Sequence, residues 1–365
     1  MNKHSLINNS IISRSWIFFV TSLVIFISLY FFSIFKLHSE QEICVCTFAD
    51  LLNKEIVSEF EKETGIKVLL KYCEFDSEFL SQMSSFSGKN IDLVTPTNFI
   101  AKKLLKKALI DDFIDTSSIK NLKSVHPKFK NGYASLEKSS IPFAWTYYIM
   151  AYNPAFFENE TPKKLAAIFD AAQEFKSDSL LKKYKFSIFE DNPLEIISLL
   201  SLFAFGKTGE LTSQEKLTQA LKKLGNYKKH LNSYISSNLD YHLKFTSPLI
   251  LTHASLFKKT ENKSLTFCVP EEGTLIVPQF FCISKNSSKK ELAIKFINFI
   301  LQEKIMTQIF QKSGYLPCNE NLLKCLEEDP LVPTRLDLDK KFFIIEDSVD
   351  SSFVESCWFY IKNKN

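Results

Sequence analysis

Apolar and polar positions alternate between two rhythms along this chain. From Ile43, the run ICVCTF is short, apolar and bounded by polar residues, and reads as a buried strand. In the next stretch, LLNKEIVSEFEKET, Leu52, Ile56 and Phe60 recur at helical spacing. Asp50 is a candidate cap for that helix, and Gly65 stands where a left-handed residue would end it. IKVLLKYC then reads as a strand, FDSEFLSQMSSF as a helix stopped at Gly88, IDLVTP as a third strand and Phe99 to Leu109 as another helix. Strands and helices alternating in this way predict an α/β fold with a mostly parallel sheet and helices on both faces.

The rhythm changes at SIPFAWTYYIMAYNP, a continuous apolar and aromatic strand long enough to pass from one domain to another. A second α/β block follows, with helices around 161–184, the strand KFSIF, a helix from Pro193 and a helix over 213–231. Three further strands are PLILT (248–252), LTFCVP (265–270) and IVPQFFCIS. SKKELAIKFINFILQEKIMTQIFQKSG reads as two amphipathic helices ended by Gly314, and FVESCWFYIK as a closing helix. The strand crossings predict two domains joined by strands. One junction carries unusual charge. In IFEDNPLEII, Asn192 is placed as the N-cap, Pro193 as the first helical residue and Glu195 as the third. This spacing predicts a capping box, with Asn192 accepting from the third N–H and Glu195 reaching back to the N–H of the cap.

The chain has 365 residues, room for about two domains. Its net charge is +4, and Lys3, Arg14 and Lys36 account for three of these in an N-terminal stretch without acids. The remainder is close to neutral and shows no basic stripe, which argues against a nucleic-acid partner. Residues 15–35 carry no charge and are flanked by basic residues, so residues 1–39 read as an export signal, or as an anchor retained in the inner membrane. Either way the chain from about residue 40 is expected outside the cytoplasm. Eight cysteines occur, at 44, 46, 73, 268, 282, 318, 325 and 357, with no CxxC and no zinc-type spacing. An exported protein can pair some of them, with connectivity open. FGKTG (205–209) lacks the first glycine of a phosphate loop and follows a helix, so Gly206 reads as a helix stop. GxSxG, HExxH and EF-hand patterns are absent, the six histidines are isolated, and eight glycines leave no cofactor loop. These features favour binding over catalysis, with no cofactor and no metal.

FEKETGIKV (60–68), DLVTPTNFIAKKLLKKALI (92–110), IPFAWTYYIMAYN (141–153), VPEEG (269–273) and KKELAIKFINFIL with SGYLPCNENL (289–322) resemble, in order and spacing, the periplasmic spermidine/putrescine-binding proteins of polyamine ABC transporters. The resemblance implies a two-lobed periplasmic-binding-protein fold of type II, behind an N-terminal hydrophobic helix. Lobe 1 is assigned to residues 40–148 plus 275–325 and lobe 2 to 149–274 plus 326–365. It also implies a monomeric receptor that holds a small cationic solute, a polyamine, in the inter-lobe cleft. The receptor would deliver it to separate permease and ATPase subunits.

Carried over residue by residue, the resemblance implies a site of Phe48, Thr97, Phe99, Asn192, Glu195, Thr252, Gln279 and Tyr315, and Asp50 joins these as a candidate for its charge. Phe48 stands in place of a tryptophan, and Thr97 and Phe99 in place of a serine and a tyrosine. Glu195 and Tyr315 match the family. Asn192 and Gln279 replace aspartates, Thr252 and Val277 replace tryptophans, and Ala49 and Leu51 replace a hydroxyl residue and a tyrosine. Asp50 and Glu190 are expected to add negative charge. With two carboxylates changed to amides, a different solute (another amine, an amino acid or ferric ion) stands as the alternative ligand. A membrane-tethered sensor or scaffold, or an enzyme on a similar fold, stands as the alternative class. The adjacent tyrosines that a ferric site would use, Tyr147 and Tyr148, lie in the crossing strand and read as packing.

Overall fold

The computed structural model describes residues 21–28, 41–85, 90–157, 160–189, 192–224, 227–235, 241, 242, 244, 246–345 and 351–363. Gly88, Glu190 and most of the apolar run 15–35 lie outside the described residues; of that run, 21–28 is helical. Among the described residues no helix is long and apolar enough to cross a membrane.

The first block is β1 (Glu42–Phe48), α1 (Lys54–Thr64), β2 (Lys67–Cys73), α2 (Asp76–Ser84), β3 (Leu93–Val94) and α3 (Asn98–Lys106). The crossing strand β4 (Ile141–Tyr152) is followed by β5 (Phe186–Phe189), α4 (Pro193–Phe205), β6 (Leu231–Ile235), β7 (Leu249–His253) and β8 (Thr266–Cys268). The chain returns through β9 (Thr274–Ile283), α5 (Lys290–Ile300), α6 (Glu303–Ser313), β10 (Leu316–Pro317), β11 (Phe342–Phe343) and α7 (Ser351–Asn363).

The sheet order is β2-β1-β3-β9-β4-β7-β5-β6, with β8 and β10 pairing β4 and β11 pairing β9. The expectation of a mostly parallel sheet is corrected here. The two wings are parallel, β2-β1-β3 at one end and β7-β5-β6 at the other. The centre is antiparallel, because β9 pairs β3 and β4, and β4 pairs β7. Every residue of β4 and β9 is buried, which explains why both read as unbroken apolar runs.

One core cluster packs Phe60, Ile141, Phe281, Phe296 and Ile300 behind the first wing. Another packs Tyr148, Phe157, Ile188, Leu199, Leu251 and Trp358 behind the second. A third lies under the crossing strands, where Leu331, Val332 and Phe342 meet Phe129 and Trp145. Lys128 stitches this seam, its ammonium donating to the Phe342 carbonyl at 2.7 Å and to that of Leu338.

Two local expectations are also corrected. Asn53, not Asp50, caps α1, because its side chain accepts from Glu55 N and Ile56 N at the actual helix start. The helix expected over 213–231 is two pieces, Gln214–Lys223 and Tyr227–His230, and the chain enters strand β6 at Leu231. The glycine stops hold: Gly65, Gly206 and Gly314 all have φ near +75° and return their N–H to the last turn.

Candidate functional site

The carboxyl ends of the strands converge on one cleft of about 960 Å³. Such strand ends are where open α/β sheets present backbone and helix N-termini to ligands. The first wing contributes Phe48 at the end of β1 and Asp50 just beyond it, Glu74, Phe75 and Asp76 after β2, and Thr97 and Phe99 at the start of α3. The second contributes Asn192 and Glu195 at the start of α4, Tyr234 at the end of β6 and His253 at the end of β7. Thr146, Val277 and Gln279 come from the crossing strands, with Tyr315 and Glu355 beside them.

Glu195 is the most enclosed carboxylate in the cleft, 5 % exposed. Its Oε2 accepts from the Tyr148 hydroxyl at 2.6 Å, and its Oε1 from the Asn192 side-chain amide at 3.1 Å. His253 Nε2 lies 3.4 Å from Oε2, and its ring meets Tyr148 edge-on at 4.4 Å. Asn192 caps α4 as expected, but its Oδ1 takes the second N–H, that of Leu194, at 3.1 Å. Glu195 does not reach back to the cap N–H as the capping box required. Its carboxylate is turned to Tyr148 and the Asn192 amide instead, at the end of α4 where the helix dipole favours negative charge.

The opposite wall is built differently. Asp76, in the first turn of α2, accepts from the Thr97 hydroxyl. Thr97 in turn makes a backbone bridge to Gln279. Gln279 is 1 % exposed and its Oε1 has no hydrogen-bond partner among the described residues. A buried acceptor left open in this way costs roughly 1–3 kcal/mol unless a ligand or water meets it. Aromatic faces flank these groups: Phe48 packs edge-on against Phe79 at 4.9 Å, and Phe75 is half exposed. Two cleft acids are held by the protein's own ammonium groups. Asp50 pairs with Lys259 at 2.8 Å, and Glu355 with Lys103 at 3.3 Å. Lys103 also lies over the Phe99 ring, 4.0 Å from its centre, so this wall already seats a cation on an aromatic face.

Eight of the nine residues expected at the site therefore line one cleft. Thr252 does not: it is fully buried within β7, opposite Ile149. Strand alternation turns its neighbour His253 to the cleft instead. Sequence reasoning also passed over Asp76, whose position just beyond the end of a predicted strand was a usable signal. It passed over Tyr148 as well. Tyr147 and Tyr148 point to opposite faces of β4: the Tyr147 hydroxyl donates to the Leu331 carbonyl at 2.8 Å, while Tyr148 stands behind Glu195. The pair thus cannot converge on one metal ion, and among the described residues no cluster of three or more His, Cys, Asp or Glu has metal-binding geometry.

The chain is 23% identical, over 71% of its length and 72% of theirs, to the spermidine/putrescine-binding periplasmic protein of Salmonella typhimurium. It is 23% identical over 83% of its length to the putrescine-binding periplasmic protein SpuD of Pseudomonas aeruginosa, spanning 86% of that protein. Among solved structures, the spermidine/putrescine ABC transporter substrate-binding protein PotD from Streptococcus pneumoniae superposes with a TM-score of 0.75 at 18% identity, over 88% of this chain and 99% of that one. The family model for bacterial extracellular solute-binding proteins matches residues 55–334. That match spans most of both wings and every crossing strand, and the chain belongs to the bacterial extracellular solute-binding protein family.

Proposed function

We propose that this chain is the extracytoplasmic receptor of an ABC importer, and that its ligand is a short linear diamine of the putrescine type. The observation that carries the reading is Glu195: a buried carboxylate at a helix N-terminus, opening on a cleft walled by aromatic rings. Carboxylates neutralise ammonium ends, rings attract them, and the methylenes between pack on the rings. The neutral amide at Gln279 favours a diamine over a triamine. Asp50 and Glu355 are already paired with Lys259 and Lys103, and the amide Gln279 stands where the resemblance placed an aspartate. A central secondary ammonium would be desolvated there beside a neutral acceptor, which costs several kcal/mol.

Phe48, Asp50, Thr97, Phe99, Asn192, Glu195, Gln279 and Tyr315 are the proposed contacts, joined by Asp76 and His253. Closure brings the two walls together by bending in β4 and β9, so a ligand touching both favours the closed form. The closed receptor, a periplasmic monomer, then docks on permease and ATPase subunits. Residues 15–35 would keep it at the inner membrane, raising its concentration near the permease.

Calorimetric titration tests the reading. Putrescine is expected to bind at least about tenfold more tightly than spermidine, a difference of about 1.4 kcal/mol. Gln279→Asp restores the counter-charge and is expected to reverse the order. The same substitution should lower the melting temperature of the unliganded chain, because it buries a carboxylate with no partner. Absence of heat with every diamine and triamine would reject an amine ligand, and an unchanged order in the variant would reject the role given to Gln279.

A further inference from the structure

Cys46 and Cys73 meet across the first two strands, with their Sγ atoms 3.4 Å apart. β1 and β2 run parallel, with Cys46 opposite Lys71 and Phe48 opposite Cys73. Cys73 is thus two positions beyond the residue facing Cys46, and the strand period of two puts both thiols on one face. Each side chain is at most 1 % exposed, in an apolar layer that also holds Cys44 and Cys282. Among the described residues no other pair of thiols is in hydrogen-bonding contact.

We propose that Cys46 and Cys73 form a disulfide in the exported protein. The proposal rests on the extracellular placement of the family and not on which solute the cleft holds. The two thiols give up two protons and two electrons to the disulfide of an exchange partner, a disulfide-carrying oxidoreductase or oxidised glutathione, which leaves as its reduced thiols. A new S–S bond of about 2.05 Å requires the sulfurs to approach by about 1.4 Å. Cys73 is the last residue of β2, next to the bend at Glu74 and Phe75, so the movement falls at the end of the ladder and not in its middle.

The hydrogen bond to Cys73, with burial behind it, pushes the Cys46 thiol above its ordinary range, so Cys46 is a poor nucleophile in the folded chain, and both sulfurs are closed off from an exchange partner. Oxidation therefore belongs to the folding stage, before this layer closes over the sulfurs. The bond would tie together the two strand ends that carry the first wall of the cleft: Phe48 and Asp50 leave β1, and Glu74 to Asp76 leave β2. Their spacing would be set covalently, and the closed loop would restrict the unfolded chain.

The test is a peptide map of the full chain exported to the periplasm of a bacterial host. The protein is denatured in iodoacetamide without reductant, digested and read by mass spectrometry. A linked pair of peptides carrying Cys46 and Cys73 is expected. Reduction should lower the melting temperature by about 5 °C. Cys73→Ser should show the same lowering with no further effect of reductant, while Cys325→Ser, at an exposed position, should melt as the natural chain does. Alkylated Cys46 and Cys73 in the unreduced digest, or a link from either to another cysteine, overturns the proposal. The digest is read on the natural chain, so the result stands even where the Cys73 variant fails to fold.

Discussion

Replacing Glu195 by Gln is expected to raise the dissociation constant for putrescine by about 30- to 1,000-fold, with little loss of stability. Removing one partner of a buried, hydrogen-bonded charge pair costs about 2–4 kcal/mol, most of it from the charge left without its counter-ion. The glutamine keeps an oxygen that can accept from Tyr148 and fills nearly the same volume. The charge at the N-terminus of α4, the bond from the Asn192 amide and the contact with His253 are disturbed. A loss of about 1 kcal/mol in unfolding free energy is the scale of those interactions. Titration calorimetry and denaturant melts on the same preparations separate the two quantities. A variant that loses several kcal/mol of stability while binding putrescine normally would make Glu195 a structural residue and sink the ligand reading. Equal losses in both would have the same consequence, because the carboxylate would then act through the fold.

Glu195 was legible in the sequence only in part, and for a physical reason. N-caps, glycine stops and helical periodicity are local, so Gly65, Gly206, Gly314 and the cap at Asn192 could be placed from neighbouring residues alone. The side-chain partners of Glu195 are not local. Tyr148 arrives on a strand 47 residues earlier, and His253 at the end of another strand in the same wing. A capping box was the best use of the carboxylate that the segment itself offers, and tertiary partners displaced it. The same distinction explains the sheet. Alternating strands and helices describe each wing correctly as parallel, but the pairing of β9 with β3 and β4 depends on a return of the chain that leaves no periodic trace. Thr252 illustrates a finer limit. A one-residue offset along a strand exchanges the buried face for the exposed one, so a site carried over at low identity can land on the wrong neighbour.

Replacing Gly314 by Ala is expected to lower the melting temperature by about 5–10 °C and to weaken putrescine binding at least about tenfold, though residue 314 does not line the cleft. Two effects add. Gly314 has φ +75°, where a side chain costs about 1 kcal/mol. A Cβ there would also lie 2.8 Å from the Ser255 Cα and carbonyl oxygen and 2.7 Å from the Lys258 Cβ. Those atoms belong to the short helix Ala254–Lys258, whose backbone cannot swing aside as the end of a side chain can. Overpacking of this kind costs about 1–3 kcal/mol, for a total of about 2–4 kcal/mol. At about 2–4 °C per kcal/mol for a chain of some 200 residues or more, the melting shift follows. The displaced helix begins directly after His253, and its Ser255 N–H donates to Thr146 at 3.1 Å. Pushing it away therefore moves His253 and Thr146 from one side while Tyr315 shifts with Gly314 from the other. Gly206 supplies the control. It has nearly the same φ, +76°, but open space where its Cβ would stand. Gly206→Ala should show only the conformational cost, about 1 kcal/mol, and normal binding. Equal melting shifts in the two variants, or normal putrescine affinity in Gly314→Ala, would show that the 254–258 helix does not hold the cleft in register.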